Sequence, residues 1–113
     1  MQHAGLTAEV WQRYDRDQQI LSIGAEMNRA RKRLLAGDTP GLKLAYERIL
    51  TLAELTVEVR PDPALRRELL IWRDLVAAQY AAPERHLRDH DAAFRALLML
   101  IPAGYAQIRP LLG

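Results

Sequence analysis

Three short breaks that contain proline divide this chain into four long segments, and they limit the folds open to it more than any other feature. The breaks lie at residues 37–40, 60–63 and 81–83. Proline fits the first turn of a helix but disrupts its interior, and Asp38 and Asp62 can cap a helix that starts beside them. Because the breaks are short, each helix must run antiparallel to the one before it. The sequence therefore predicts an all-α fold, an up-down four-helix bundle.

Each segment carries core-type residues three and four positions apart, which places them on one face of an α-helix. The four stripes are Ile20, Ile23, Met27, Ala30 and Leu34; Leu42, Ala45, Ile49, Leu52, Thr56 and Val59; Leu65, Leu69, Trp72, Val76 and Tyr80; and Leu87, His90, Phe94, Leu97 and Ile101. Asp15 and Gln18 have the spacing of a capping box at the start of the first helix. Gly37 is expected to end that helix in a left-handed turn, and Pro83 is expected to start the fourth.

The two ends of the chain are expected to cover the bundle. Residues 7–14 predict a lead-in helix of about two turns that Thr7 caps. Pro102 and Gly104 are expected to stop the last helix, and the apolar residues of the tail at 105–113 favour a segment that folds back over the bundle. We interpret Trp11 as a core residue, because a tryptophan among helical apolar residues is usually buried.

The third and fourth helices are apolar on more than one side. Leu70, Ile71 and Leu75 flank the stripe of the third helix, and residues 97–101 form an uninterrupted apolar run near the end of the fourth. A surface helix of a monomer rarely has this pattern. The helices therefore either lie centrally in the bundle or meet another subunit, and we expect a homodimer.

The bulk composition excludes several classes of protein. A chain of 113 residues has room for one domain around one core, here residues 1–113. With no cysteine it has neither disulfides nor thiolate zinc ligands. There is no long apolar run, no secretory signal pattern, no phosphate-binding loop and no nucleophile motif, so we expect a cytoplasmic protein without membrane contact or cofactor.

The net charge of +2 does not by itself indicate a nucleic-acid partner. Arg29, Arg31, Lys32 and Arg33 do form a basic cluster in the last turns of the first long helix. Cations there stabilise the negative end of the helix dipole, which is the interpretation we favour. A basic patch that binds nucleic acid is the alternative.

Side chains that could take part in acid–base or metal chemistry are most concentrated in residues 83–91, which contain His86 and His90 among arginines and carboxylates. Histidines four positions apart on one helix can reach a single metal ion, but two ligands do not make a site, so we expect no metal centre. His90 also lies on the apolar stripe. It is therefore expected to be a core or interface histidine bonded to a buried partner such as Tyr46, Tyr80 or a carboxylate.

The order Arg85-His86-x-x-x-His90 resembles the short signature of HEPN-type helical-bundle ribonucleases. This resemblance implies RNA cleavage without metal at a dimer interface. It implies that Arg85 stabilises the phosphate charge, that His86 is the polar second residue and that His90 is the general acid or base. Such roles suit these side chains, because histidine titrates near neutrality and arginine carries a fixed charge.

Two functions of different classes therefore stay open. We expect a non-catalytic helical interaction module with an unidentified protein partner, because no candidate site outweighs a structural role for its residues. The alternative is a metal-independent ribonuclease or RNA-binding, toxin-like domain that uses Arg85 and His90.

Overall fold

The computed structural model describes residues 6–101, which form five helices and contain no β-strand. The helices are α1 (Ala8–Trp11), α2 (Arg16–Leu35), α3 (Thr39–Val59), α4 (Pro63–Ala81) and α5 (Leu87–Leu98). The predicted all-α class is therefore confirmed. Among residues 6–101, none of the helices combines the length and the apolar character needed to cross a membrane.

Capping side chains set the starts of the three longest helices. The Asp15 carboxylate accepts from the Gln18 backbone N–H at 2.8 Å while the Gln18 side chain accepts from the Asp15 N–H, so the predicted capping box is present. Asp38 caps α3, and Asp62 caps α4 with Pro63 as its first residue. Each carboxylate satisfies N–H groups that have no partner within the helix.

Gly37 makes the tight connection between α2 and α3. Its φ of +70° lies in the left-handed region, as expected for the glycine that follows a helix. The neighbouring Asp38 N–H donates to the Arg33 carbonyl at 2.9 Å, which satisfies one of the last carbonyls of α2. The chain therefore reverses within a few residues and enters α3 directly.

Cross-helix hydrogen bonds show that four pairs of helices run antiparallel. Between α2 and the end of α3 they join Gln19 to Arg60 and Glu26 to Arg48, and between α3 and α4 they join Glu47 to Tyr80 and Glu54 to Arg73. Between α4 and α5 they join Trp72 to Ala93 and Gln79 to Asp89. His90 on α5 bonds to Met27 on α2, and Leu100, just after α5, bonds to Arg16 on α2. In every pair the residue number rises on one helix as it falls on the other. Each of these four pairs of helices is therefore antiparallel.

The core contains most residues of the predicted stripes, Trp72 among them, together with Trp11, Tyr46, Ala53, Ala93 and Leu98. Four other stripe residues are only partly buried: Leu34, Val59, Tyr80 and Leu87. Trp11 is buried and its indole N–H donates to the Thr56 hydroxyl at 2.9 Å, whereas the Trp72 indole donates to the Ala93 carbonyl at 2.8 Å. A buried indole needs such a partner, since an unpaired N–H in the core is costly. These two bonds tie α1 to α3 and α4 to α5.

A buried carboxylate in the interface of α2 and α3 is a feature that the sequence analysis missed. Glu26 is almost fully buried and accepts hydrogen bonds from Arg48, at 2.8 Å, and from Arg29. Charge and hydrogen bonding together offset the desolvation of the carboxylate. Glu26 lies beside Ile23 and Met27 on the core face, and that position was the available signal.

The predicted helix ends were wrong at three points. The lead-in helix is a single turn, Ala8–Trp11, rather than two. The last helix begins at Leu87, not at Pro83, and ends at Leu98, so that the run at 97–101 leaves the helix and Met99 is exposed. The stop at Pro102 and Gly104 and the tail at 105–113 lie outside the described residues.

Candidate functional site

The connection between α4 and α5 is an extended segment, and a hydrogen bond from Arg85 holds it against the end of α4. Ala82 has ψ 142°, the extended conformation favoured before proline, and no capping side chain is available there to start a helix at Pro83. The Arg85 guanidinium donates to the Tyr80 carbonyl at the end of α4, which both satisfies that carbonyl and holds the connection in place. His86 then becomes the residue before α5, with an extended backbone at φ −115° and ψ 134°.

His86 and His90 consequently do not share a helical face. His86 precedes the helix and its side chain is exposed, 3.8 Å from the Glu84 carboxylate, whereas His90 is 1% exposed. Within the described part of the chain, no group of three or more histidine, aspartate or glutamate side chains is arranged to hold a metal ion. The two imidazoles therefore cannot act as one site, because His86 is exposed to solvent and His90 is buried in the core.

His90 lies in the core with both ring nitrogens in hydrogen bonds. Nε2 is 2.8 Å from the Met27 carbonyl oxygen, and Nδ1 is 3.0 Å from the Tyr46 hydroxyl oxygen. A carbonyl only accepts, so Nε2 carries the proton and Nδ1 accepts from the Tyr46 O–H. The structure thus selects Tyr46 from the buried partners that the sequence analysis considered.

Burial keeps this pair neutral. It lowers the pKa of His90 below the usual value for histidine, although the bond to the Met27 carbonyl opposes the shift. Burial also raises the pKa of Tyr46 to about 12, against the opposing effect of the Arg85 charge. The two rings stack at a centroid distance of 5.8 Å with 12° between their planes. Tyr46 and His90 therefore form a packed, uncharged link among α2, α3 and α5.

This arrangement does not favour the catalytic roles that the ribonuclease resemblance implies. A general acid or base must reach its substrate, but neither nitrogen of His90 is free and its ring is sealed in the core. Arg85 and His86 do line an open pocket of about 330 Å³, whereas His90 does not. The catalytic assignment of Arg85, His86 and His90 stays a prediction.

Three of the four cations in the basic cluster on α2 form ion pairs with carboxylates of the same molecule. Arg29 pairs with the buried Glu26, and Arg31 donates from Nε to Asp91 on α5 at 2.9 Å. Arg33 lies 3.4 Å from Asp38, the cap of the next helix. Carboxylates that already neutralise these guanidinium groups leave less positive charge for a nucleic-acid backbone.

An exposed apolar surface lies across α4 and α5. We call it the α4/α5 face and define it by Ile71, Leu75 and Ala78 on α4, by Ala92 and Ala96 on α5, and by Met99, which directly follows α5. In each set the three residues are spaced three or four apart, so they form one line. Ile71 is 61% exposed, Leu75 46% and Met99 66%.

Contacts between the two helices place these lines side by side. Trp72 on α4 bonds to Ala93 on α5, and Gln79 bonds to Asp89, so the exposed residues next to them share one outer surface. The excess of apolar residues on α4 was evident from the sequence. Met99 was also evident, as part of the apolar run at 97–101, but Ala92 and Ala96 were not, because alanines are equally typical of any solvent-facing helix.

Comparisons with known proteins assign no function to this surface. No protein-family model matches the chain, and searches of curated proteins and of solved structures find no significant match to it.

Proposed function

We propose that this chain is a non-catalytic interaction module, a single-domain up-down four-helix bundle that pairs with a second copy of itself through the α4/α5 face. One observation carries the proposal: Ile71, Leu75 and Met99 are largely exposed on a shared surface while the chain has a complete core elsewhere. Burial of these side chains against a like surface is favourable because it removes apolar area from water.

The size of the face supports a pair of modest stability. A helix of twelve residues is about 18 Å long and two packed helices are about 20 Å wide, so the face covers roughly 400 Å² in projection. The largest apolar patch of a typical monomer covers about 300–600 Å², and a standard interface buries about 800 Å² per partner, so a face of this size is small for a stable pair. We therefore expect a dimer that dissociates in the micromolar range.

The small residues on the face also favour helix packing. Ala78, Ala92 and Ala96 are small, so large side chains of a second copy could approach the two helices closely beside Ile71 and Leu75. Ridges that pack into grooves in this way bring helix axes to within about 8–10 Å of each other. A two-fold axis makes every such contact twice, which compensates for the small area.

Sedimentation equilibrium from low micromolar to near-millimolar concentration tests the proposal. The wild type is expected to reach twice the subunit mass, and Ile71→Arg is expected to stay at one, because it places a charge in the contact. Leu35→Arg is the matched control, since Leu35 is 60% exposed on α2, away from the α4/α5 face. A wild type of one subunit mass at all concentrations, or equal effects of both variants, would overturn the proposal.

The metal-independent ribonuclease is the alternative function, and it is tested separately. Labelled transfer or messenger RNA is incubated with the protein and a chelator, beside His90→Ala and the more conservative His90→Gln. Cleavage by the wild type that both variants lose would favour the alternative. Intact RNA in all samples would oppose it. The cytoplasmic location expected from the sequence stays a prediction.

A further inference from the structure

We propose that a groove between α1 and α2 binds an arylalkanoic acid, a molecule with a carboxylate at one end and an aromatic ring at the other. The groove has a volume of about 340 Å³ and opens to solvent. Its lining residues come from α2, from α3 and from residues 6–14, which include α1. None of them belongs to α4 or α5, so the site is separate from the α4/α5 face and does not depend on self-association. We call it the α1/α2 groove.

The wall that α2 contributes sets the length of the ligand. Ser22, Ala25, Glu26 and Arg29 all line the groove, and their spacing of three and four positions places them in one stripe along the helix. The seven positions from Ser22 to Arg29 correspond to about 10 Å along the helix axis. A phenyl ring joined to a carboxylate through three methylene groups has about this length.

An excess positive charge lies at the Arg29 end of the stripe. Arg29 and Arg48 both donate to Glu26, so two guanidinium groups share one carboxylate and one positive charge is left over. The Glu26 side chain is 5% exposed whereas that of Arg29 is 61% exposed, so a ligand in the groove meets the guanidinium and not the carboxylate. The groove therefore favours an anionic head group at this end.

Arg29 also has donors left for such a head group. Its Nη1 pairs with Glu26, whereas its Nε and Nη2 make no hydrogen bond within residues 6–101. A carboxylate is an acceptor with two oxygens, and its hydrogen bonds to guanidinium are stronger than those of a neutral carbonyl. An ammonium group has only donors and would be repelled by the excess charge.

The other end of the groove is aromatic. The Gln19 amide donates to the Trp11 carbonyl at 2.8 Å, which places Trp11 beside the start of α2, away from Arg29. The rings of Trp11 and Tyr14 lie 5.6 Å apart with 54° between their planes, and both residues line the groove together with Leu52. Tyr14 is 45% exposed, so the ring of a ligand can pack against it. Burial of that ring removes apolar area from water.

The probes 4-phenylbutyrate, 4-phenylbutyramide and 4-phenylbutylamine differ only in their head groups, which are anionic, neutral and cationic. Titrations followed by amide NMR shifts are expected to give millimolar binding of 4-phenylbutyrate at Ala25 and Arg29, as is usual for so small a ligand. The amide is expected to bind about tenfold more weakly, because it loses the charged contact with Arg29, and the amine more weakly still.

Two arginine variants test the head-group contact. Arg29→Gln is expected to weaken binding of 4-phenylbutyrate about tenfold but that of the amide less than about twofold. Arg33→Gln is the matched control, because Arg33 is exposed one turn later on α2 and does not line the groove. It removes the same net charge from the chain and should affect neither probe. Equal weakening by both variants, equal binding of the three probes, or no shift with 4-phenylbutyrate would each overturn the proposal.

Two alanine variants test the location without disturbing the ion pairs of Glu26. Ala25→Leu places a larger side chain in the groove and is expected to weaken both 4-phenylbutyrate and its amide about tenfold. Ala64→Leu makes the same change at an exposed residue in the first turn of α4, outside the groove, and should weaken neither. An Ala25→Leu variant that binds 4-phenylbutyrate as tightly as Ala64→Leu does would refute the site.

Discussion

The bond between Tyr46 and His90 allows the most informative test of the core. Tyr46→Phe keeps the buried ring and removes only the hydroxyl that donates to His90 Nδ1. The nitrogen then stays buried without a donor, because its ring is 1% exposed and Nε2 is already committed to the Met27 carbonyl. A buried acceptor without a partner costs about 1–3 kcal/mol, so we expect the free energy of unfolding to fall by about 2 kcal/mol.

Tyr80→Phe is the matched control. The Tyr80 hydroxyl donates to the Glu47 carboxylate at 2.8 Å, but this bond lies at the surface, where water replaces the lost partner. We expect the control to lose less than about 0.5 kcal/mol. The difference between the two variants therefore isolates the cost of burial.

Urea unfolding followed by tryptophan fluorescence measures both variants, since Trp11 and Trp72 are buried in the native state. For a domain of this size, a loss of about 2 kcal/mol lowers the melting temperature by roughly 8–12 °C. A Tyr46→Phe variant that loses no more free energy than Tyr80→Phe would refute the assigned hydrogen bond.

Three further perturbations have defined outcomes in the same assay. Burial lowers the pKa of His90, so below about pH 6.5 the unfolded chain binds the proton before the folded chain does. The free energy of unfolding of the wild type should therefore fall by up to about 1.4 kcal/mol per pH unit below that point, whereas that of His90→Gln should depend less on pH. Identical pH dependence of the two proteins would contradict the lowered pKa. Glu26→Gln should cost about 1–3 kcal/mol, since Arg48 loses its buried charged acceptor, and a neutral result would show that the pair contributes nothing. Thr56→Val should cost about 1–2 kcal/mol by leaving the Trp11 indole without a partner, and full stability would refute that bond.

The helix starts show what the sequence can and cannot predict. Those of α2, α3 and α4 follow from Asp15, Asp38 and Asp62, because a cap depends on a side chain and a backbone group three residues apart or fewer. Pro83 has no capping side chain before it, and Arg85 holds the following residues through a bond to the end of α4. That contact depends on how the chain turns, so proline alone predicted the wrong start.

The candidate site also has a part that the sequence predicts and a part that only the fold shows. The periodic stripe predicts that His90 is buried, but its partner, Tyr46, is 44 positions away and was one of several candidates. The pocket at α4 and α5 combines Gln79, from the last turn of α4, with Arg85, from a connection whose backbone was not predicted. Local chemistry therefore reveals which residues are buried, whereas pairing across helices requires the fold.

Isotope-filtered NMR on an equal mixture of ¹³C-labelled and unlabelled protein tests self-association most directly, because it detects only contacts between copies and needs no substitution. Intermolecular contacts are expected from the methyl groups of Ile71, Leu75 and Met99, which are exposed on the α4/α5 face. The methyl groups of Leu35 and Leu44, exposed on α2 and α3, serve as internal controls and should give none. Intermolecular contacts confined to those controls, or no contacts at concentrations near one millimolar, would contradict the proposal that this chain pairs through α4 and α5.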